Sequence, residues 1–290
     1  MVSCSYKIRR LNQTLLASLL GVIEGLTEFL PVSSTAHLRI FEALAGVRLE
    51  DGYWKMFSIV IQLGAILCLP FYFVDRIAGI IRTFPGGTRG RNSVMTHPIS
   101  LTLIAFLFTA APSYALSKMI GDNLESLRVM GWALIAGGVV MFVVDALFGD
   151  GMGGSSVIQE LESMSPVRAI FIGLMQTLAA VFPGTSRSMA TIAAGQMTGL
   201  SRPAALEFSF LLSMPTMAAA VAYDLVKTIR SGEAHVGVGG WFTLALGFVI
   251  SFAVAYAVVA WFMHWVRQHG FLPFVVYRIA AGIAVLVFLA

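Results

Sequence analysis

The stretch EGLTEFLPVSSTAH, residues 24–37, carries two carboxylates, a proline, three consecutive hydroxyls and a histidine inside apolar sequence. Glu24 and Glu28 stand at i,i+4 and share one helix face. Like charges at that spacing repel. In an apolar setting either one keeps a proton or a cation sits between them. A hard divalent cation takes oxygen ligands, typically one or two carboxylates with substrate phosphates completing the shell. Mg²⁺ is the expected metal at Glu24 and Glu28, with Ca²⁺ the alternative. Pro31 ends that helix, and Ser33 or Ser34 is placed to cap a new one. A helix N-terminus of this kind suits a phosphate. Ser34 and His37 stand at i,i+3, so a hydroxyl lies beside an imidazole, the minimum for a base-activated nucleophile.

A second cluster, PGTSRSMAT, spans residues 183–191. Arg187 is the one charged residue between Arg168 and Arg202, and a guanidinium binds phosphate through a fixed fork of donors. Gly184 allows backbone to approach a ligand closely. Thr191 shares a face with Arg187. Ser33, Thr35, Gly184, Ser186, Ser188, Thr191 and the mid-span Gln62 are the expected phosphate-binding set. Gln62 alternatively serves as an interhelical tie. Acid ligands, a hydroxyl and a histidine in one cluster, with an anion-binding arginine in the other, describe phosphoryl transfer, where positioning and charge neutralisation dominate. Ester or amide chemistry would not need the carboxylate pair and the arginine together. A zinc site would want more than one histidine or cysteine.

The elements that position these groups are set by composition. Of 290 residues, 58% are hydrophobic and 12% charged, and mean hydropathy is +0.84. Soluble domains carry about 25% charged residues. Windows 57–74, 98–117, 129–144, 208–223 and 236–263 hold no Asp, Glu, Lys or Arg, and 271–290 holds only Arg278. These match the roughly 20 apolar residues that a spanning helix needs and lack the alternation of a β-barrel. The expected fold is an all-α polytopic membrane protein. Arg278, with Asp145, Glu207 and Asp224, is expected at the interface near span ends. The net charge of +4 belongs to basic loops and does not imply nucleic acid. Cys4 and Cys68 are too far apart in sequence to form a disulfide framework or metal spacing. The basic-then-apolar N-terminus mimics a signal peptide but is followed by Glu24 and Glu28 rather than a cleavage pattern.

The chain reads as a single membrane domain, 1–290, built from an internal repeat. GVIEGLTEFLPVSSTAHL from Gly21 aligns with GLMQTLAAVFPGTSRSMA from Gly173, pairing Glu24 with Gln176, Pro31 with Pro183 and Ser34 with Ser186. FSIVIQLG from Phe57 aligns with FSFLLSMP from Phe208 at nearly the same offset. The repeats are 11–148 and 168–290, joined by the Gly/Ser-rich loop 149–167. Each reads as an interrupted segment (11–45 and 168–200) followed by three spans. Irregular backbone at membrane depth is tolerated where it lines a wet cavity or is buried in protein, so the interrupted segments read as re-entrant helical hairpins. Three spans per half would invert the second repeat and set the site near the midplane. The Lys and Arg bias of the loops is too small to fix orientation.

At these residues the sequence resembles the bacitracin-resistance type undecaprenyl-diphosphate phosphatase family. EGLTEFLPVSSTAH resembles its glutamate-rich motif and PGTSRSMAT its PGxSRSxxT motif; FSIVIQLG and EFSFLLSMP resemble further family segments. Ala36 and Met189 stand where the family usually has glycine. The resemblance covers most of the chain. It implies hydrolysis of undecaprenyl diphosphate to undecaprenyl phosphate and inorganic phosphate, recycling the cell-wall lipid carrier. It also implies a divalent cation, resistance to bacitracin and a multi-pass place in the bacterial inner membrane. Its partners would be the lipid substrate and the bilayer, with a homodimer left open. By position, Glu24, Glu28, Ser34, His37 and Arg187 would be catalytic. Three mechanisms remain open: Ser34 attacks with His37 as base, His37 attacks, or metal-bound water attacks. A transporter or flippase of a polyprenyl phosphate lipid is the alternative function, since inverted repeats with broken helices are transporter architecture.

Overall fold

The computed structural model describes residues 13–46, 52–86, 94–123, 126–149, 157–231 and 238–290. The start of the signal-like N-terminus, Cys4 and residues 150–156 of the glycine-rich joint lie outside them. The described chain is helical. Apart from one isolated bridge pairing Ile158 with Leu200, it contains no strand. The helices are α1 (Gln13–Thr27), α2 (Ser34–Ala45), α3 (Gly52–Tyr72), α4 (Val74–Thr83), α5 (Pro98–Ala115), α6 (Ser117–Asn123), α7 (Leu127–Phe148), α8 (Pro166–Val181), α9 (Arg187–Met197), α10 (Arg202–Ser231), α11 (Val238–Trp265) and α12 (Leu272–Phe288).

Five helices, α3, α5, α7, α10 and α11, are long and apolar enough to cross a membrane. They fall on the five charge-free windows of the sequence. The sixth expected span is the 17-residue α12, about 25 Å long at 1.5 Å per residue. The protein is thus a multi-pass membrane protein. Leu103, Leu107, Trp132, Phe142, Trp241 and Phe242 are exposed on the spans, as lipid-facing surface requires. The short amphipathic α4 carries Asp75 in its first turn and Arg82 in its last, matching the helix dipole. It was not legible as a separate helix because it follows α3 with a single intervening residue, Phe73.

Both interrupted segments are broken helices. α1 and α2 are separated by residues 28–33, and α8 and α9 by residues 182–186. The two breaks end alike. Ser33 and Ser186 are the non-glycine residues with positive φ among those described, at 74° and 71°. Each is an N-cap whose hydroxyl accepts from a backbone N–H three residues on, Ala36 N at 3.4 Å and Met189 N at 3.3 Å. These caps satisfy donors that a helix start leaves open.

The halves also pack alike. α1 lies on α11 and α8 on α5; α11 lies on α3 and α5 on α10; α7 pairs with α12 and α3 with α10. Close backbone approach makes two of these contacts. A Cβ at Gly21 would lie 2.9 Å from the Gly247 carbonyl on α11, and one at Gly173 would lie 2.3 Å from that of Ala105 on α5. Small residues at such crossings are what lipid-embedded helices use in place of a hydrophobic driving force. Hydroxyls reinforce them: Ser251 donates to the Ile61 carbonyl at 2.7 Å, and Thr109 to that of Gly173 at 2.8 Å. The main apolar core runs between the breaks, with Phe29 edge-on to Phe210 at 5.5 Å.

Candidate active site

The first break builds its polar face from one turn of helix and one cap. Glu24 on the last turn of α1 and Glu28, the first residue beyond it, are both buried. After the turn at Pro31, Ser33 takes its positive φ and starts α2. Ser34, the first residue of α2, thereby points back toward α1. Its hydroxyl donates to Glu28 Oε2 at 2.5 Å. His37 points elsewhere. Its Nδ1 lies 2.7 Å from the Ser33 carbonyl oxygen and its Nε2 lies 2.5 Å from the Tyr277 hydroxyl on α12. Helix spacing alone pairs Ser34 with His37. The structure pairs Ser34 with Glu28 instead, because the strained cap at Ser33 turns the first residue of α2 toward the preceding helix.

The second break supplies the cation. Arg187 reaches across with Nη2 3.4 Å from Glu28 Oε1 and Nη1 3.4 Å from the Ser209 carbonyl oxygen. Its guanidinium carbon sits 5.8 Å from the Phe29 ring centroid, within cation–π range. Glu28 therefore accepts from Ser34 on one oxygen and from Arg187 on the other. Ser188 donates to the Leu30 carbonyl at 2.9 Å, tying the second break to the first, and lies 3.0 Å from Ser186 Oγ. Thr191 is buried against Ser209, the hydroxyls 2.7 Å apart.

Arg278 corrects the interfacial expectation. It is fully buried and donates to four carbonyl oxygens: Pro31 at 2.8 Å, Gly184 at 3.0 Å, Thr185 at 3.0 Å and Ala133 at 3.2 Å. One side chain thus holds both breaks and α7. A buried charge costs several kcal/mol unless well bonded, and these four acceptors offset that cost. Its place well inside α12 was the available signal. Gly184 has φ 99°, and a Cβ there would lie 2.6 Å from the Met130 carbonyl oxygen, so its backbone packs closely on α7. Among the described residues no hydrogen bond ties Gln62 or Thr35 to the cluster; both are half-buried.

Both oxygens of Glu24 are buried without a hydrogen-bond partner. A bare buried carboxylate needs a proton or a cation, so Glu24 fits a metal-ligand role. The donors nearby, Glu24, Glu28 and Ser34, are all oxygen, which suits a hard divalent ion. Among the described residues no group of three or more His, Cys, Asp or Glu gathers. Any metal here would draw further oxygens from substrate or solvent.

This is a polytopic helical membrane protein with acid, hydroxyl and guanidinium groups gathered where two broken helices meet. The family profile described as bacitracin resistance protein BacA matches residues 17–284, and the chain belongs to that family. It is 59% identical over 284 residues to an undecaprenyl-diphosphatase of Koribacter versatilis, covering 95% of this chain and 98% of that protein. It is 43% identical over 265 residues to the Thermus thermophilus undecaprenyl-diphosphatase, covering 91% and 93%. To that of Caldanaerobacter subterraneus it is 38% identical over 274 residues, covering 94% and 95%.

Proposed function

We infer that this protein is a phosphatase that hydrolyses undecaprenyl diphosphate to undecaprenyl phosphate and inorganic phosphate, recycling the lipid carrier for cell-wall synthesis. The observation that carries a chemical mechanism is Glu28 held between the Ser34 hydroxyl and the Arg187 guanidinium. In the reading this favours, Ser34 Oγ attacks the terminal phosphorus while Glu28 takes its proton. The bond from that phosphorus to the bridging oxygen breaks. Glu28 passes the proton to the departing undecaprenyl phosphate. Water then attacks the phosphoserine, Glu28 takes a proton from it, and Ser34 recovers its hydroxyl as inorganic phosphate leaves. Arg187 neutralises the phosphate oxygens throughout. The first-turn N–H groups of α2 and α9 other than those of Ala36 and Met189, which the caps occupy, add donors at the same place.

Glu24 and Glu28 would hold a divalent cation, Mg²⁺ or alternatively Ca²⁺, which would supply further neutralisation of phosphate charge. Ser33, Ser186 and Ser188 shape the breaks around the phosphates. No group named here calls for a second copy of the chain.

The matched caps at Ser33 and Ser186 and the exchange of packing partners between halves support an inverted repeat. In it each half is a re-entrant hairpin followed by three spans, and the site lies at the junction near the membrane midplane. A lipid-carrier substrate supports a place in the bacterial inner membrane. The same architecture serves transporters; the Ser34 hydroxyl bonded to Glu28 at the anion site favours chemistry over transport.

The test is phosphate release from undecaprenyl diphosphate by purified protein in detergent, with Mg²⁺ and then with a chelator. Metal-dependent release is expected. Folded protein that binds the lipid but releases no phosphate with any divalent metal would favour transport.

A further inference from the structure

We propose that Tyr277, on α12, is a positioning residue that sets the tautomer and orientation of His37 and through it fixes the backbone on which Ser34 stands. The proposal rests on the phosphatase reading above.

The hydrogen-bond roles follow from chemistry. A backbone carbonyl only accepts, so the 2.7 Å contact of His37 with the Ser33 carbonyl puts a proton on Nδ1. In a neutral ring Nε2 is then the acceptor, and the Tyr277 hydroxyl, 2.5 Å away, donates to it. The rings lie nearly parallel, 9° apart with centroids at 5.6 Å. Both ring nitrogens are engaged, and neither faces Ser34.

What this chain of contacts holds is a strained residue. Ser33 has φ 74°, a conformation that a non-glycine residue keeps only where its surroundings enforce it. His37 bonds its carbonyl. Ser34, the next residue, is aimed at Glu28 as a result. α12 therefore grips the first break twice. Arg278 holds the Pro31 carbonyl, and Tyr277, through His37, holds that of Ser33. The intervening residue is Val32 alone. A tyrosine serving only as an interfacial anchor would have no need of a bonded imidazole from another helix.

The experiment is a double-mutant cycle on phosphate release with Tyr277→Phe, His37→Ala and the double variant, each with a thermal melt. Tyr277→Phe keeps the ring and removes the donor. It is expected to lower kcat about tenfold, the scale of one hydrogen bond, with KM within twofold and the melting temperature unchanged. In the His37→Ala background the same change is expected to cost nothing further. Additive losses would overturn the proposal, as would a Tyr277→Phe enzyme at wild-type rate or one that unfolds. Inactive wild-type protein would overturn the phosphatase reading and this proposal with it, whereas an active wild type matched by Tyr277→Phe would overturn this proposal alone.

Discussion

Ser34 donates its hydroxyl hydrogen to Glu28 across the first break, at 2.5 Å, while Arg187 from the second break meets the other oxygen of the same carboxylate at 3.4 Å. One glutamate thus joins a serine hydroxyl to a guanidinium, and the two broken helices meet on it.

The first consequence concerns covalency. Rapid-quench of wild-type enzyme with substrate labelled on its terminal phosphate is expected to leave label on Ser34. Ser34→Ala is expected to lose activity by at least about 1,000-fold without change in melting temperature. Full activity in Ser34→Ala would rule out the serine as nucleophile.

Arg187→Lys preserves charge but not the fork of donors. A lysine cannot reach Glu28, the Ser209 carbonyl and a phosphate together. Loss of about 100-fold in kcat is expected, the scale of one preorganised charge-stabilising donor, measured by steady-state phosphate release.

Arg278→Met leaves four buried carbonyl oxygens without their donor. Each orphaned acceptor costs about 1–3 kcal/mol. The variant is expected to melt well below wild type and to lose activity, since both breaks lose a common anchor. Arg278→Lys, with fewer donors, is expected to fall between them in the same melt.

Gly184→Ala and Gly46→Ala separate two costs of a glycine. Both positions have positive φ, 99° and 68°, but a Cβ at Gly46 meets nothing within 4 Å, while one at Gly184 would strike the α7 backbone at Met130. Gly46→Ala is expected to cost about 1 kcal/mol and leave turnover intact. Gly184→Ala is expected to shift the second break and abolish most activity, read as rate at matched amounts of folded protein.

Much of this arrangement is legible in the sequence. Charge-free windows located the spans, and proline followed by hydroxyls located both breaks, because lipid leaves few other reasons for such residues. Side-chain partners were not legible. Ser34 and His37 are neighbours by helix spacing, yet the positive φ of Ser33 aims one at α1 and the other at α12. Arg278 reads as an interfacial residue near a span end because sequence spacing does not show that three carbonyls from two distant breaks, and a fourth from α7, converge on it. Tyr277 was hidden for the same reason: its partner lies 240 residues away. The residues aligned as Glu24 and Gln176 sit differently: Gln176 Nε2 donates to Thr109 at 3.1 Å and to Thr216 at 3.2 Å, whereas Glu24 meets neither a hydroxyl nor an amide.

The most direct test is the rate of inorganic phosphate release from undecaprenyl diphosphate by wild type, Glu28→Gln and Arg187→Ala, purified in the same detergent and matched by melting temperature. The account predicts an active wild type and losses of at least about 100-fold in both variants, because the carboxylate and the guanidinium act on the same phosphate. Wild-type rates in either variant would contradict it, since the reaction would then run somewhere other than the junction of the two breaks.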